Sequence, residues 1–254
     1  FLQGQRKWLC PLKVFKSIIR VAAIMTPSLE ILDAQDTHLG PLVLRRRTIS
    51  SLDGFEVYEV KLGEEFLMSS LFPEAEKELA HLGLAMLEGE NWDVVVGGLG
   101  LGYTAAAALE SGNVNSLVVV ELFPQVIDWH LRGLVPCGEG LSGDPRCRLI
   151  EQDFFTAAVD QGIGLDPRNP GKKFHAILLD IDHTPTHQLD DENTGFYSEK
   201  GLNAMADQLL PGSVFGLWSD DAPDASFTEL LGTVFQTAEA VVVPFYNPIQ
   251  DKES

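Results

Sequence analysis

A cluster of glycines followed at a distance by a carboxylate is the pattern in this chain best suited to chemistry. Asn91-Trp92-Asp93-Val94-Val95-Val96-Gly97-Gly98-Leu99-Gly100-Leu101-Gly102-Tyr103 reads as a buried strand entering a glycine turn that opens a helix, and Val118-Val119-Val120-Glu121 reads as a second buried strand ending on an acid. Glycine lets the backbone pass close to a ligand and take dihedrals that a Cβ forbids. Glu121 follows Gly102 by 19 residues, a separation at which a Rossmann-like fold sets a carboxylate against ribose hydroxyls. These residues predict a nucleoside-containing ligand bound by Gly97, Gly98, Gly100 and Gly102 with Glu121 and its neighbour Leu122. Tyr103 stands where a dinucleotide fingerprint needs its third glycine, so the G-x-G-x-G order argues against a pyrophosphate and for a ligand of the S-adenosylmethionine type. The competing reading is a glycine-rich turn that holds no ligand.

Further acids fall at the ends of other apolar runs: Asp153 after Arg148–Glu151, Asp180 and Asp182 after Phe174–Leu179, and Asp220-Asp221 after Ser213–Trp218. If those runs are parallel strands, their carboxyl ends open on one crevice at the point where strand order reverses, and the acids meet there. Such a crevice attracts ammonium and sulfonium groups. The runs alternate with helical stretches at Thr104–Leu109, Pro124–Leu131, Glu199–Leu210 and Ser226–Thr233, and a last strand is expected at Ala240–Phe245. Apolar strands joined by helices predict a parallel sheet covered on both faces. Before it, Leu42-Val43-Leu44, Phe55–Val60 and Glu65–Met68, divided by Asp53-Gly54 and Gly63, predict a small antiparallel β-unit. Pro73 then opens a helix whose Leu79, Leu82 and Met86 share a face. The expected organisation is a basic extension at 1–24, a β-unit at 25–72 and a Rossmann-like nucleoside-binding unit at 73–254.

Composition limits the partners. The 254 residues are 45% apolar and carry a net charge of −19, which excludes a nucleic-acid binder of the usual basic kind and suits a small cationic substrate. Residues 1–24 hold five basic side chains and no acid, leaving 13 basic and 37 acidic residues, a net −24, in the remainder. That first segment is read as a non-native or upstream extension, or as a basic arm over the acidic body. No apolar run reaches the length needed to span a bilayer. Cys10, Cys137 and Cys147 make an odd set without metal-type spacing, which points to a reducing cytoplasm. His183 and His187 lie four apart around Pro185, and the proline prevents the helical face that would aim both at one metal. No metal is expected, and residues 183–193 are read as an acidic lid or a solvated loop.

Three segments together resemble the spermidine synthase (polyamine aminopropyltransferase) family over roughly residues 40–245. Val94–Tyr103 with Val119–Glu121 resembles its nucleoside loop and ribose acid, and Asp144-Pro145-Arg146 through Asp153-Phe154-Phe155 its adenine-binding segment. Ile177–Asp180, then Phe196-Tyr197-Ser198 and Leu210-Pro211-Gly212, resembles its catalytic strand, the aromatic helix entry beyond that strand and its proline–glycine turn. The resemblance implies an α/β fold: a Rossmann-like, doubly wound, mostly parallel sheet of the S-adenosylmethionine-dependent methyltransferase type. It implies aminopropyl transfer from decarboxylated S-adenosylmethionine to a (poly)amine, and a homodimer or homotetramer. Asp180 would be the catalytic carboxylate with Asp182 steering the amine, Glu121 would hold ribose, Asp153 and Phe154 the adenine, and His183 and Tyr197 would face the acceptor.

The chain departs from the family in three places. Gly100 stands where the family carries the acid that meets the donor's aminopropyl ammonium, Asp180-Ile181-Asp182-His183-Thr184-Pro185 lacks the second aspartate at its usual spacing, and Ala75-Glu76-Lys77 replaces an aromatic–His/Gln–Glu trio. Two other readings therefore stay open: a methyltransferase using S-adenosylmethionine itself, and a non-catalytic nucleoside- or polyamine-binding protein.

Overall fold

The computed structural model describes residues 29–160 and 162–253; the basic segment at 1–24 lies outside them. Four antiparallel strands come first: β1 (Leu29–Thr37), β2 (Gly40–Ile49), β3 (Phe55–Leu62) and β4 (Glu65–Ser69), paired in sequence order. The sequence pattern indicates β2 to β4 but not β1, whose Leu-Glu-Ile-Leu-Asp-Ala-Gln-Asp-Thr mixes acids into the strand. Helix α1 (Glu74–Ala85) leads into β5 (Trp92–Gly97), α2 (Tyr103–Glu110), β6 (Val114–Glu121), α3 (Pro124–Leu131), α4 (Gly138–Gly143), β7 (Cys147–Glu151), α5 (Phe154–Val159), β8 (Phe174–Leu179), α6 (Glu199–Ala206), β9 (Leu209–Leu217) and α7 (Ala225–Val234). A short hairpin, β10 (Tyr246–Asn247) with β11 (Lys252–Glu253), follows.

Strands β5 to β9 form one parallel sheet in the order β7-β6-β5-β8-β9. Alternation along each strand sends successive side chains to opposite faces, and both faces are buried. Val94, Val96, Leu117, Val119, Ala176 and Leu178 face a core completed by α1, α2 and α3, to which Leu42, Leu44 and Val60 of the antiparallel sheet also belong. Val95, Val118, Val120, Ile177 and Leu179 face Phe154, Phe155, Leu202 and Met205 from α5 and α6. The fold is thus α/β, with the expected parallel sheet and N-terminal antiparallel sheet.

Three local expectations need correction. The buried face of α1 is Glu76, Ala80, Gly83 and Leu84, whereas Leu82 and Met86 are exposed. Gly83 decides this, because a Cβ there would lie 2.9 Å from Leu178 Cδ2, so the helix closes on β8 along its glycine side. No strand forms at Ala240–Phe245: Val241 and Val242 are exposed and run beside α1. Helix α6 stops at Ala206, and Leu209 to Gly212 already belong to β9, where the pairing with β8 slips between Phe174 and Ala176.

Candidate active site

The carboxyl ends of β5, β6 and β8 open on a cavity of about 900 Å³, roofed by β2 to β4 and by the segment after β8. β5 is the strand where order reverses, with β6 on one side and β8 on the other, which is where ligands of such sheets bind. The lining includes Gly98, Gly100, Glu121, Leu122, Asp153, Phe154, Asp180 and His183. Eight residues singled out from sequence are therefore gathered in one place.

The glycine loop is shaped by packing as much as by any ligand. Gly98 has φ +90°, and a Cβ would fall on the Asp180 carbonyl oxygen. The backbone pairs there on both sides, Gly98 N–H donating to Val120 O at 2.9 Å and Asp180 N–H to Gly97 O at 2.8 Å. Gly100 faces the Met68 sulfur at its own Cβ position, and His130 Nε2 lies 2.9 Å from the Gly100 carbonyl. Gly97 and Gly102 do not line the cavity. Gly97 abuts the Phe154 ring and Gly102 abuts His130 and Leu141, so both hold the loop against its neighbours.

Glu121 is buried and accepts the backbone N–H groups of Leu99 and Phe123, each at 2.9 Å. Burial pushes its carboxyl above the ordinary range, and those amides only partly offset it. It ties the glycine loop to the end of β6 while still bordering the cavity. Asp153 is the N-cap of α5: Oδ1 accepts from Phe155 N–H at 3.0 Å, and Oδ2 accepts from Thr156.

Asp180 ends β8 on the cavity wall. Thr104 Oγ1, at the start of α2, donates to its Oδ2 at 2.5 Å. Burial raises the Asp180 carboxyl to about 6, with the threonine pulling it down. Lining the same cavity is a residue that sequence reasoning passed over as a mere mismatch. Glu76 is only 7% exposed, borders the same cavity, and is pushed up to about 8 by burial first and by the charge of Asp180 second. The signal available was weak, since Glu74, Glu76 and Glu78 alternate along one helix and only packing tells which of them turns inward.

Asp182 and Tyr197 are placed differently from expectation. Neither lines the cavity. Asp182 Oδ2 accepts from Tyr197 Oη at 2.8 Å and Oδ1 from Leu189 N–H at 2.8 Å, which fastens the segment after β8 to the start of α6. A strand-end carboxylate points to one side or the other, and two residues beyond Asp180 the chain has already turned. His183 does border the cavity, its Nε2 4.0 Å from Glu65 Oε2 and its ring 5.0 Å from that of His187. Trp218, just past β9, borders it too, with a buried indole N–H that has no partner among the described residues.

Among the described residues, seven acidic side chains, Glu76, Glu121, Asp153, Asp180, Asp190, Glu192 and Asp220, line this cavity against one lysine, Lys200. A spermidine synthase crystallised with the transition-state analogue AdoDATO matches the chain at a TM-score of 0.60 and 16% identity, covering 81% of this chain and 65% of that one. The fold is shared with spermidine synthases. The spermidine synthase of Thermotoga maritima gives the same TM-score and identity over 81% of this chain and 64% of its own; the present chain thus spans a little under two thirds of the length of both. Human methyltransferase-like protein 13 with SAH matches at 0.42 and 20%, over 56% of this chain and 63% of that one. No protein-family model and no curated protein matches the sequence.

Among the described residues no helix is long and apolar enough to cross a membrane.

Proposed function

We propose that this chain transfers an aminopropyl group from decarboxylated S-adenosylmethionine to a small amine. The observation that carries the reading is the acidity of the cavity, seven acidic side chains to one lysine among the described residues, at the strand ends beside the glycine loop. Both reactants are cations, and an acidic wall is what lets two of them approach. Ordinary S-adenosylmethionine keeps an α-carboxylate that needs a cation or free amides. The Leu99 amide already serves Glu121, and Lys200 lies on α6 rather than on the loop.

The residues present fit the donor. Glu121 and the glycine loop would take the ribose, with Phe154 and Asp153 bordering the base. In the transfer, the amine nitrogen forms a bond to the methylene beside the sulfonium, the carbon–sulfur bond breaks with its electron pair going to sulfur, and methylthioadenosine leaves. The nitrogen must first be neutral and must shed a proton. Asp180, raised to about 6, is ionised at neutral pH yet basic enough to accept that proton or hand it to water. Thr104 fixes the carboxylate's orientation.

The test is turnover. Incubation with the decarboxylated donor and a set of diamines should release methylthioadenosine, and Asp180→Asn should lower the rate by about a hundredfold or more while leaving methylthioadenosine affinity within about twofold. Unchanged turnover in Asp180→Asn removes that residue from its role, and no product with any amine sinks the transfer.

A further inference from the structure

Glu76 is the buried acid on the cavity wall that the transfer just described does not use. It sits in the first turn of α1, 7% exposed, and its carboxylate meets its own backbone N–H. The titratable groups bearing on it are Asp180 at the end of β8, Asp220 beyond β9, Glu74 on its own helix and the Tyr103 phenol on α2. The nearby ammonium of Lys77 is 5.5 Å over the Tyr103 ring. Among the described residues Glu76 forms no ion pair. Thr104 ties the Asp180 carboxylate to the backbone of α1, its Oγ1 lying 2.5 Å from Asp180 Oδ2 and 3.1 Å from the Glu76 backbone carbonyl oxygen, and both acids line the same cavity. In the glycine loop, a side chain at Gly100 would meet the Met68 sulfur and require that side chain to shift.

We propose that Glu76 and Asp180 act as one proton-sharing carboxylate pair that binds a primary ammonium of the substrate, so that Glu76 selects for a positively charged arm. This rests on the aminopropyl-transfer reading. Two buried carboxylates on one cavity wall cannot both ionise cheaply, and a cation bound by both removes the cost. Burial first and the charge of Asp180 second push Glu76 to about 8, and burial raises Asp180 to about 6, so the pair holds a proton at neutral pH. An arriving ammonium displaces it: a carboxyl O–H bond breaks and the proton passes to solvent. The ammonium belongs either to the donor's propyl arm or to the acceptor, and the two are separable.

The intact chain is titrated calorimetrically at pH 7 with decarboxylated S-adenosylmethionine and with methylthioadenosine, which lacks the ammonium, in two buffers of different ionisation heat. Acceptor KM is measured alongside. Glu76→Gln, nearly isosteric, should bind methylthioadenosine within about twofold of wild type. If the donor arm is the ligand, Glu76→Gln binds the donor at least about tenfold more weakly, about 1.4 kcal/mol, and the proton release seen with wild type disappears. If the acceptor is the ligand, its KM rises by at least about tenfold and proton release accompanies acceptor rather than donor binding. Glu76→Asp, which keeps the charge, should recover part of either loss. Wild-type turnover that Glu76→Gln leaves untouched overturns the role of Glu76 alone, as does an equal loss of methylthioadenosine binding. A wild-type chain that gains nothing from the ammonium arm overturns the transfer reading with it.

Discussion

Glu76→Gln should also change how stability depends on pH, and the structure sets the magnitude. An exposed glutamate titrates near 4.5, whereas Glu76 in the folded protein is raised to about 8. Between those values the folded chain binds a proton that the unfolded chain has lost, so stability is full below pH 4.5 and falls as pH rises towards 8. At about 1.4 kcal/mol per pKa unit, the 3.5 units set a ceiling of about 5 kcal/mol. Asp180, raised from 3.8 to about 6, acts in the same direction over a lower window, and the repulsion between the two acids makes their contributions overlap. Because both residues border an open cavity, solvent screening brings the expected loss for wild type to about 2–3 kcal/mol between pH 5 and 8. Guanidinium unfolding followed by the emission of Trp92, Trp129 and Trp218 measures it. Glu76→Gln should flatten most of that slope and be the more stable protein at pH 8. A wild-type stability constant within about 0.5 kcal/mol over the range, or a slope unchanged in the variant, refutes the buried-pair argument.

Two substitutions separate the loop that holds the ligand from the segment that covers it. Gly98→Ala places a methyl on the Asp180 carbonyl at a φ of +90°; a stability loss of about 2–4 kcal/mol by guanidinium unfolding and loss of methylthioadenosine binding by calorimetry are expected, and a well-folded variant with full affinity contradicts the loop geometry. Asp182→Asn weakens the hold on Tyr197 and Leu189, so limited proteolysis should cut faster between residues 183 and 197 while methylthioadenosine affinity stays within about twofold; a loss of affinity with no change in cleavage would make Asp182 a ligand-facing group instead.

The parts of this architecture that local chemistry dictates were legible in the sequence. Val94–Gly102 and Val118–Glu121 announce themselves because a strand buried on both faces must be continuously apolar and a close turn must be glycine. Asp153 and Asp180 could be placed at the cavity because strand ends in a parallel sheet point the same way. What escaped was decided by packing between distant segments. The inward turn of Glu76 depends on Gly83 letting α1 approach Leu178, and an acidic, glycine-bearing helix face does not look like a buried one. Asp182 sits two residues from Asp180, but the Tyr197 hydroxyl and the Leu189 amide claim its side chain, and both partners lie across a loop whose course no pattern reveals. Ala240–Phe245 has the composition of a strand, yet Val241 and Val242 remain exposed beside α1, because composition does not create a paired edge.

The central claim, an acidic site built for a donor without its α-carboxylate, is tested most directly by competitive calorimetry of decarboxylated and ordinary S-adenosylmethionine on the same protein. The account predicts that the decarboxylated donor binds at least about tenfold more tightly, because the extra carboxylate of the ordinary donor would enter a cavity that the described residues line with seven acidic side chains and one lysine. Equal or tighter binding of ordinary S-adenosylmethionine would contradict it and turn the reading towards methyl transfer.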